Sequence, residues 1–143
     1  MNLNIKFLIV CYIVSAFVDW VFQSEWQASH KSNWTKGNRI DAFDAVLKHS
    51  LIYSGLTLFF TMIILGLMGY GMDLKPEHVW IIGITLFITH MIIDTRVPVK
   101  LIMRAKGLTK DKIADVQKTG FLQVGIDQRL HEFVILVLAI FIR

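Results

Sequence analysis

Six ionisable residues of this chain lie in or beside long apolar segments, where side chains able to carry charge are rare. They are three carboxylates and three imidazoles: Asp19, His49, His90, Asp94, Asp127 and His131. The pairs His90–Asp94 and Asp127–His131 are each four residues apart, a spacing that places both side chains on one face of a helix, one turn apart. Ionisable groups at membrane depth are costly, and they usually face a bundle interior and mark a functional site.

These residue types suit metal-dependent chemistry. Imidazole nitrogens and carboxylate oxygens together bind divalent transition metals such as Zn, Mn or Fe, and mixed sets of this kind occur in two-metal hydrolases. We therefore predict that one or two such ions are bound by His49, His90, Asp94, Asp127 and His131. A bound metal lowers the pKa of its coordinated water and so supplies a nucleophile at neutral pH. Asp19 is predicted to be a further ligand or the general base that accepts the proton of this water.

Other interpretations of the six residues stay open. A histidine in a membrane helix often makes interhelical hydrogen bonds, each contributing about 1 kcal/mol. Chains of intramembrane Asp and His also carry protons in pumps and transporters. The alternative to a hydrolase is therefore a non-enzymatic membrane effector, or a bundle that conducts protons or ions. A scaffold for a partner protein is a third class, in which function would survive loss of all six residues.

Composition indicates an integral membrane protein of one domain, residues 1–143. The chain is 55% hydrophobic and 18% charged, whereas in soluble domains about a quarter of the residues are charged. The single cysteine excludes an internal disulfide. A spanning helix needs about 20 largely apolar residues, and four segments approach this length: residues 7–22, 47–70, 79–94 and 124–142. We predict an all-α fold, a membrane bundle of these four helices.

Charge orients this predicted bundle. With four spans, the loops 24–46 and 95–123 lie on one side of the membrane, and together with the adjoining helix ends they hold twelve of the fifteen lysines and arginines. The positive-inside rule places both loops in the cytoplasm and both termini outside, in an inner membrane. All six ionisable residues then lie at the cytoplasmic ends of the spans. The expected partners are the bilayer and its anionic phospholipids, so the net charge of +4 needs no nucleic-acid partner.

The second of these loops is predicted to contain a short helix in the membrane interface, between spans three and four. Pro98 disfavours a straight continuation of the third span, and Thr109 before Lys110, Asp111 and Lys112 is typical of a helix N-cap. The simple interpretation is a basic amphipathic connector. In a sharper one, Lys100 or Arg104 steers a phosphate toward the site.

The motifs also resemble a known family. The stretch SAFVDWVFQSEW, residues 15–26, is similar to the opening motif of domain of unknown function 3307, a family of small bacterial and phage membrane proteins. That motif has His, three residues, Asp, three residues, Gln and then a Trp. The segments LKH ending at His49, HMIID from His90 to Asp94 and DQRLH from Asp127 to His131 match as well, so the resemblance touches all four predicted spans.

The family is distantly similar to inner-membrane proteins described as metal-dependent hydrolases. The resemblance carries over eight positions: Asp19, Gln23, His49, His90, Asp94, Asp127, Gln128 and His131. Ser15 replaces the first histidine of the family, which implies either that this histidine does not touch the metal or that a ligand is lost here. The predicted function is a metal-dependent membrane hydrolase that acts on a phosphoester or lipid headgroup at the cytoplasmic leaflet. Gln23 and Gln128 would orient water or the metal ligands.

Overall fold

The computed structural model describes residues 3–31, 39–70 and 75–141, and within these ranges the chain is all-helical. Its seven helices there are α1 (Leu3–Val21), α2 (Glu25–His30), α3 (Arg39–Leu67), α4 (Pro76–Asp94), α5 (Val97–Ala105), α6 (Lys110–Ala114) and α7 (Val116–Phe141). The all-α prediction is confirmed for this part of the chain. Each of the four predicted spans corresponds to one of the long helices α1, α3, α4 and α7.

The four long helices form a bundle in which α1 and α4 each pack against both α3 and α7. The core between them is apolar over most of its length, with Phe7, Tyr53, Leu65, Leu86 and Ile135 almost fully buried. A Cβ atom at position 83 would lie 3.2 Å from Leu58 Cδ2, so Gly83 allows α3 and α4 to approach closely.

Helices α3 and α7 begin earlier than the apolar segments that predicted them, at Arg39 rather than 47 and at Val116 rather than 124. The prediction followed continuous apolar runs, which polar residues interrupt at these ends. In α3 the buried face continues through Ala42, Ala45 and Val46 to His49. This spacing keeps one stripe of the helix in the bundle although polar residues interrupt the apolar run, so the helix extends beyond that run.

Two helices of the described residues, α3 and α4, are long and apolar enough to cross a membrane. Only 33% and 22% of their most apolar windows are buried within the protein, whereas a core helix of a soluble protein is mostly buried. Their outward faces carry large exposed apolar side chains, among them Leu51, Ile52, Phe59, Ile63, Ile81, Ile84, Ile88 and Ile92. The prediction of four spans goes beyond the two candidates among the described residues.

The connection between α4 and α7 contains two short helices, where a single interfacial one was predicted. Pro98 lies in the first turn of α5, where a backbone N–H has no intrahelical acceptor, so a proline is tolerated there. Val99 and Met103 on the buried face of α5 pack with Ile113 and Ile126. Thr109 is the N-cap residue of α6, as predicted, although its side chain makes no capping hydrogen bond.

Helix α2 was not predicted. Ser24 and Gln27 form a capping box: the backbone N–H of Gln27 donates to Ser24 Oγ at 3.2 Å, and the backbone N–H of Ser24 donates to Gln27 Oε1 at 2.9 Å. The helix packs against α3 and delivers Lys31, at its C-terminal end, to the interior of the bundle.

Candidate metal centre

The six predicted ionisable residues lie together at one end of the bundle, and all six are buried. Asp19 comes from the last turn of α1, His49 from α3, and His90 and Asp94 from the last turns of α4. Asp127 and His131 lie one turn apart on α7. Contacts between side chains far apart in sequence link all four long helices at this point.

Asp19, His49 and His90 form the first group of potential ligands, with ligand atoms all within 4.8 Å of one another. His49 Nε2 lies 2.9 Å from Asp19 Oδ1, within hydrogen-bond distance. His90 Nε2 lies 3.9 Å from the same oxygen, and the two imidazole centroids are 4.9 Å apart. This group joins α1, α3 and α4.

His90, Asp94 and His131 form the second group, again with ligand atoms within 4.8 Å of one another. His90 Nε2 lies 3.4 Å from Asp94 Oδ2, and His131 Nε2 lies 3.7 Å from Asp94 Oδ1. His49 Nε2 is 3.5 Å from Asp94 Oδ2, so this carboxylate lies beside all three histidines. His90 belongs to both groups.

Several buried polar atoms of these groups have no hydrogen-bond partner in the described part of the structure. Within the two groups they are both ring nitrogens of His90, His49 Nδ1, His131 Nε2 and Asp94 Oδ2, and beside the groups Asp127 Oδ1 also lacks a partner among the same residues. Most buried polar atoms in proteins are satisfied, so such a concentration at one point needs an explanation. Ligand atoms around a tetrahedral ion with bonds of about 2.1 Å lie roughly 3.4 Å apart, close to the separations found here. The residues therefore fit a divalent metal ion.

Asp127 lies at the edge of the cluster. Its Oδ1 is 3.9 Å from His131 Nε2, but it belongs to neither group of ligand atoms among the described residues. Asp19, predicted as ligand or general base, lies in the first group instead. On this geometry Asp19 is better placed than Asp127 to bind an ion.

Lys31 is the first of two residues of the cluster that the sequence does not predict, because its position in a basic loop indicates a solvated charge. It is buried, and its Nζ donates to Asp94 Oδ1 at 3.2 Å. The spacing of Ser24 and Gln27, which is typical of a capping box, could have indicated the short helix that carries it. Its ammonium compensates part of the negative charge of the two buried carboxylates Asp19 and Asp94.

Tyr53 is the second residue missed. Its ring stacks on that of His90, with centroids 3.6 Å apart and an interplanar angle of 14°. The ring of His131 stacks on His90 as well, with centroids 4.3 Å apart. Nothing in the sequence distinguishes Tyr53 from other aromatic residues of apolar segments. These two contacts hold the shared imidazole in one orientation.

The two predicted glutamines lie beside Asp19. Gln128 Nε2 donates to Asp19 Oδ2 at 3.1 Å, which fixes the carboxylate oxygen that does not contact His49. Gln23 is half-buried, and its Nε2 has no partner in the described residues. Ser15 is buried and donates to the backbone oxygen of Tyr12 at 2.9 Å. It also borders a cavity of about 20 Å³ with Asp19 and Tyr53, which has room for about one water molecule.

A surface cleft of about 240 Å³ leads to the cluster. It is lined by Asp19, Trp20, Gln23, Lys31, Arg96, Val124, Asp127 and Gln128. Asp19 and Lys31 thus connect the buried cluster to a space that a small molecule can enter.

Comparison of the chain with protein families, with characterised proteins and with solved structures found no match. The family resemblance of the motifs, and the activity that it implies, therefore rest on the residues alone.

Proposed function

We propose that this protein is a metal-dependent hydrolase embedded in a membrane. The observation that carries the proposal is the pair of buried His/Asp groups that share His90, the first of which reaches a cleft through Asp19. Isolated hydrogen bonds between helices would not require three histidines and two carboxylates from four helices within a few ångströms of one another. This concentration of ligand types is typical of a metal centre.

Each residue of the cluster and of the cleft has a distinct role in this proposal. His49, His90, His131, Asp19 and Asp94 would hold one or two divalent ions, with Asp127 beside them. The metal would supply a nucleophilic hydroxide from bound water at neutral pH. Gln128 holds Asp19 through its hydrogen bond, and Gln23 lines the cleft, where its amide can orient water or substrate. Tyr53 keeps His90 in place by stacking.

The proposed setting is a four-span arrangement in an inner membrane, with the long basic loops in the cytoplasm. Exposed apolar side chains on the helices outside the two candidate spans support it: Ile9, Ile13 and Phe17 on α1, and Phe133, Leu136 and Ile140 on α7. Apolar faces on all four long helices would contact lipid together. The substrate class that suits this setting is a phosphoester or lipid headgroup at the cytoplasmic leaflet.

Elemental analysis of the purified protein tests the proposal. We expect a stoichiometric transition metal in the unmodified protein and its loss in His90→Ala and Asp94→Ala, with both variants still recovered from membranes. His78→Ala, a histidine outside the cluster, is the matched control and should keep its metal. Full metal content in the His90 and Asp94 variants would refute the proposed metal centre. So would the absence of bound metal in the unmodified protein after incubation with Zn²⁺ or Mn²⁺.

One observation favours the non-enzymatic alternative, a proton-conducting bundle. Lys31 compensates Asp94 without a metal, and His49 and Asp19 continue the polar chain from the cleft into the bundle. A protein free of metal that produces a proton flux in liposomes, abolished by His49→Ala, would support this alternative over the hydrolase.

A further inference from the structure

Two cationic side chains, Lys31 and Arg96, line the cleft beside the candidate metal centre, together with the amides of Gln23 and Gln128. We propose that they form an oxyanion subsite that binds the phosphoryl group of the substrate. The inference rests on the proposed function for what happens to the bound group. Binding of the anion itself can be measured independently of any reaction.

Lys31 has donors to spare for such an anion. An ammonium group carries three N–H donors, and the described hydrogen bond of Lys31 uses one of them, toward Asp94 Oδ1 at 3.2 Å. Burying a lysine ammonium costs several kcal/mol in lost solvation. Here the ion pair with Asp94 offsets part of that cost. The position of Lys31 between Asp94 and the cleft lets one ammonium contact both a metal ligand and an incoming oxyanion.

Arg96 reaches the cleft from the sharp connection between α4 and α5. It is the non-glycine residue with a left-handed backbone among those described, with φ of 58°. For a residue with a Cβ this conformation costs about 1–2 kcal/mol, and such strain is typically kept at functional sites. Arg96 lies in the short connection between Asp94 and Val97, and it lines the cleft.

The guanidinium of Arg96 is held only loosely. Nη1 donates to Gln123 Oε1 at 3.5 Å, the limit of a hydrogen bond, and its Nε is buried without a partner among the described residues. Guanidinium groups bind phosphate oxygens in a two-donor fork, which a point charge such as an ammonium cannot do. The two cations thus complement each other: the ammonium of a buried lysine and the guanidinium of a half-buried arginine line the same cleft.

The size and charge of the cleft restrict the ligand. A volume of about 240 Å³ lies below the roughly 300–1,000 Å³ of pockets for drug-sized molecules, so a headgroup-sized phosphate fits better than a large ligand. Asp19 and Asp127 also line the cleft and would repel an anion while their charge is uncompensated. We therefore expect phosphate to bind more tightly to metal-loaded protein than to metal-free protein.

Calorimetric titration of the full chain in detergent with inorganic phosphate tests the subsite, with and without added metal. Lys31→Gln and Arg96→Gln should each weaken phosphate binding by about tenfold or more, because each removes a charge-assisted hydrogen bond. Lys112→Gln and Lys106→Gln, which remove exposed charges outside the cleft, should bind phosphate like the unmodified protein. A second arm with nanodiscs containing phosphatidic acid, against phosphatidylcholine alone, distinguishes a lipid phosphate from a free one.

Arg96→Gly keeps the test valid if Arg96→Gln folds poorly. Glycine adopts a left-handed backbone without strain, so Arg96→Gly should unfold at the same or a higher temperature and still lose phosphate affinity. The inference is overturned if phosphate and phosphatidic acid both fail to bind, or if the control variants lose as much affinity as Lys31→Gln and Arg96→Gln. Metal content measured in the same samples separates the two proposals, since an intact metal centre without phosphate binding refutes the subsite alone.

Discussion

Asp94 lies beside three histidines and one lysine, so at the scale of single residues the cluster is organised around this carboxylate. Its full burial requires charge compensation, because an unpaired carboxylate in a low-dielectric interior is unstable. Lys31 provides that compensation in the structure, and a metal ion would provide it in the proposed enzyme. A divalent cation and the ammonium therefore repel each other across the same carboxylate.

Replacing Lys31 by methionine is expected to tighten metal binding by about tenfold or more, since repulsion between unit charges about 4 Å apart amounts to several kcal/mol at an effective dielectric constant near 20. Competition with a chromophoric chelator measures the change. Lys112→Met is the control. Weaker metal binding in Lys31→Met would instead indicate that the lysine is needed to position Asp94.

Tyr53 gives a second prediction at this scale. Tyr53→Phe preserves the stacked ring and should leave metal affinity unchanged within a factor of about two. Tyr53→Leu should lower metal affinity by about tenfold, because losing a group that orients a metal ligand typically has an effect of this size. The same chelator competition applies, with thermal unfolding recorded alongside. Equal metal affinity in the Leu variant would mean that stacking does not orient His90.

At the scale of elements, α2 links a local capping motif to the cluster. Ser24→Ala removes the side-chain acceptor of the capping box and should cost about 1 kcal/mol of stability. A looser α2 should also release Lys31, which would then react faster with a water-soluble amine-acylating reagent. Peptide mass spectrometry of the labelled protein reads this out, and Ser24→Asp, which keeps a capping oxygen, should behave like the original. Unchanged labelling of Lys31 in Ser24→Ala would contradict the link.

Helix α5 similarly supports Arg96. Met103 is a fully buried residue of this helix. Met103→Ala should therefore lower the free energy of unfolding by about 2–5 kcal/mol and loosen the packing of α5, including its start beside Arg96. We expect weaker phosphate binding with unchanged metal content. Leu101→Ala, on the exposed side of the same helix, is the matched control. Loss of metal together with phosphate would show that α5 supports the whole cluster rather than the cleft alone.

The sequence predicts these elements unevenly, for physical reasons. Long apolar runs indicate α1, α3, α4 and α7, because apolar side chains are needed both in the core and on the outward faces. The spacing of His90 and Asp94 indicates that they share a helix face. Lys31 and Tyr53 escape such patterns because their roles arise only when distant segments meet. The helix α2 is too short for periodicity to reveal it, although its capping box is visible.

At the scale of the whole molecule, the outward apolar faces and the polar end of the bundle predict an orientation in the membrane. An impermeant thiol reagent should label Arg104→Cys only from the cytoplasmic side and Lys75→Cys only from the opposite side. The unmodified protein is the blank, because its buried Cys11 should react from neither side. Labelling of both variants from the same side would refute the four-span topology.

His90 belongs to both ligand groups, and this overlap limits how many ions the protein can hold. A neutral imidazole offers a single lone pair, so an ion that takes it leaves the neighbouring group one donor short. Filling one position therefore disfavours filling the other, and a Zn²⁺ titration should saturate at one equivalent per chain. Two equivalents would contradict this limit and mean that the second ion is held without His90, by the remaining carboxylates and histidines of the cluster.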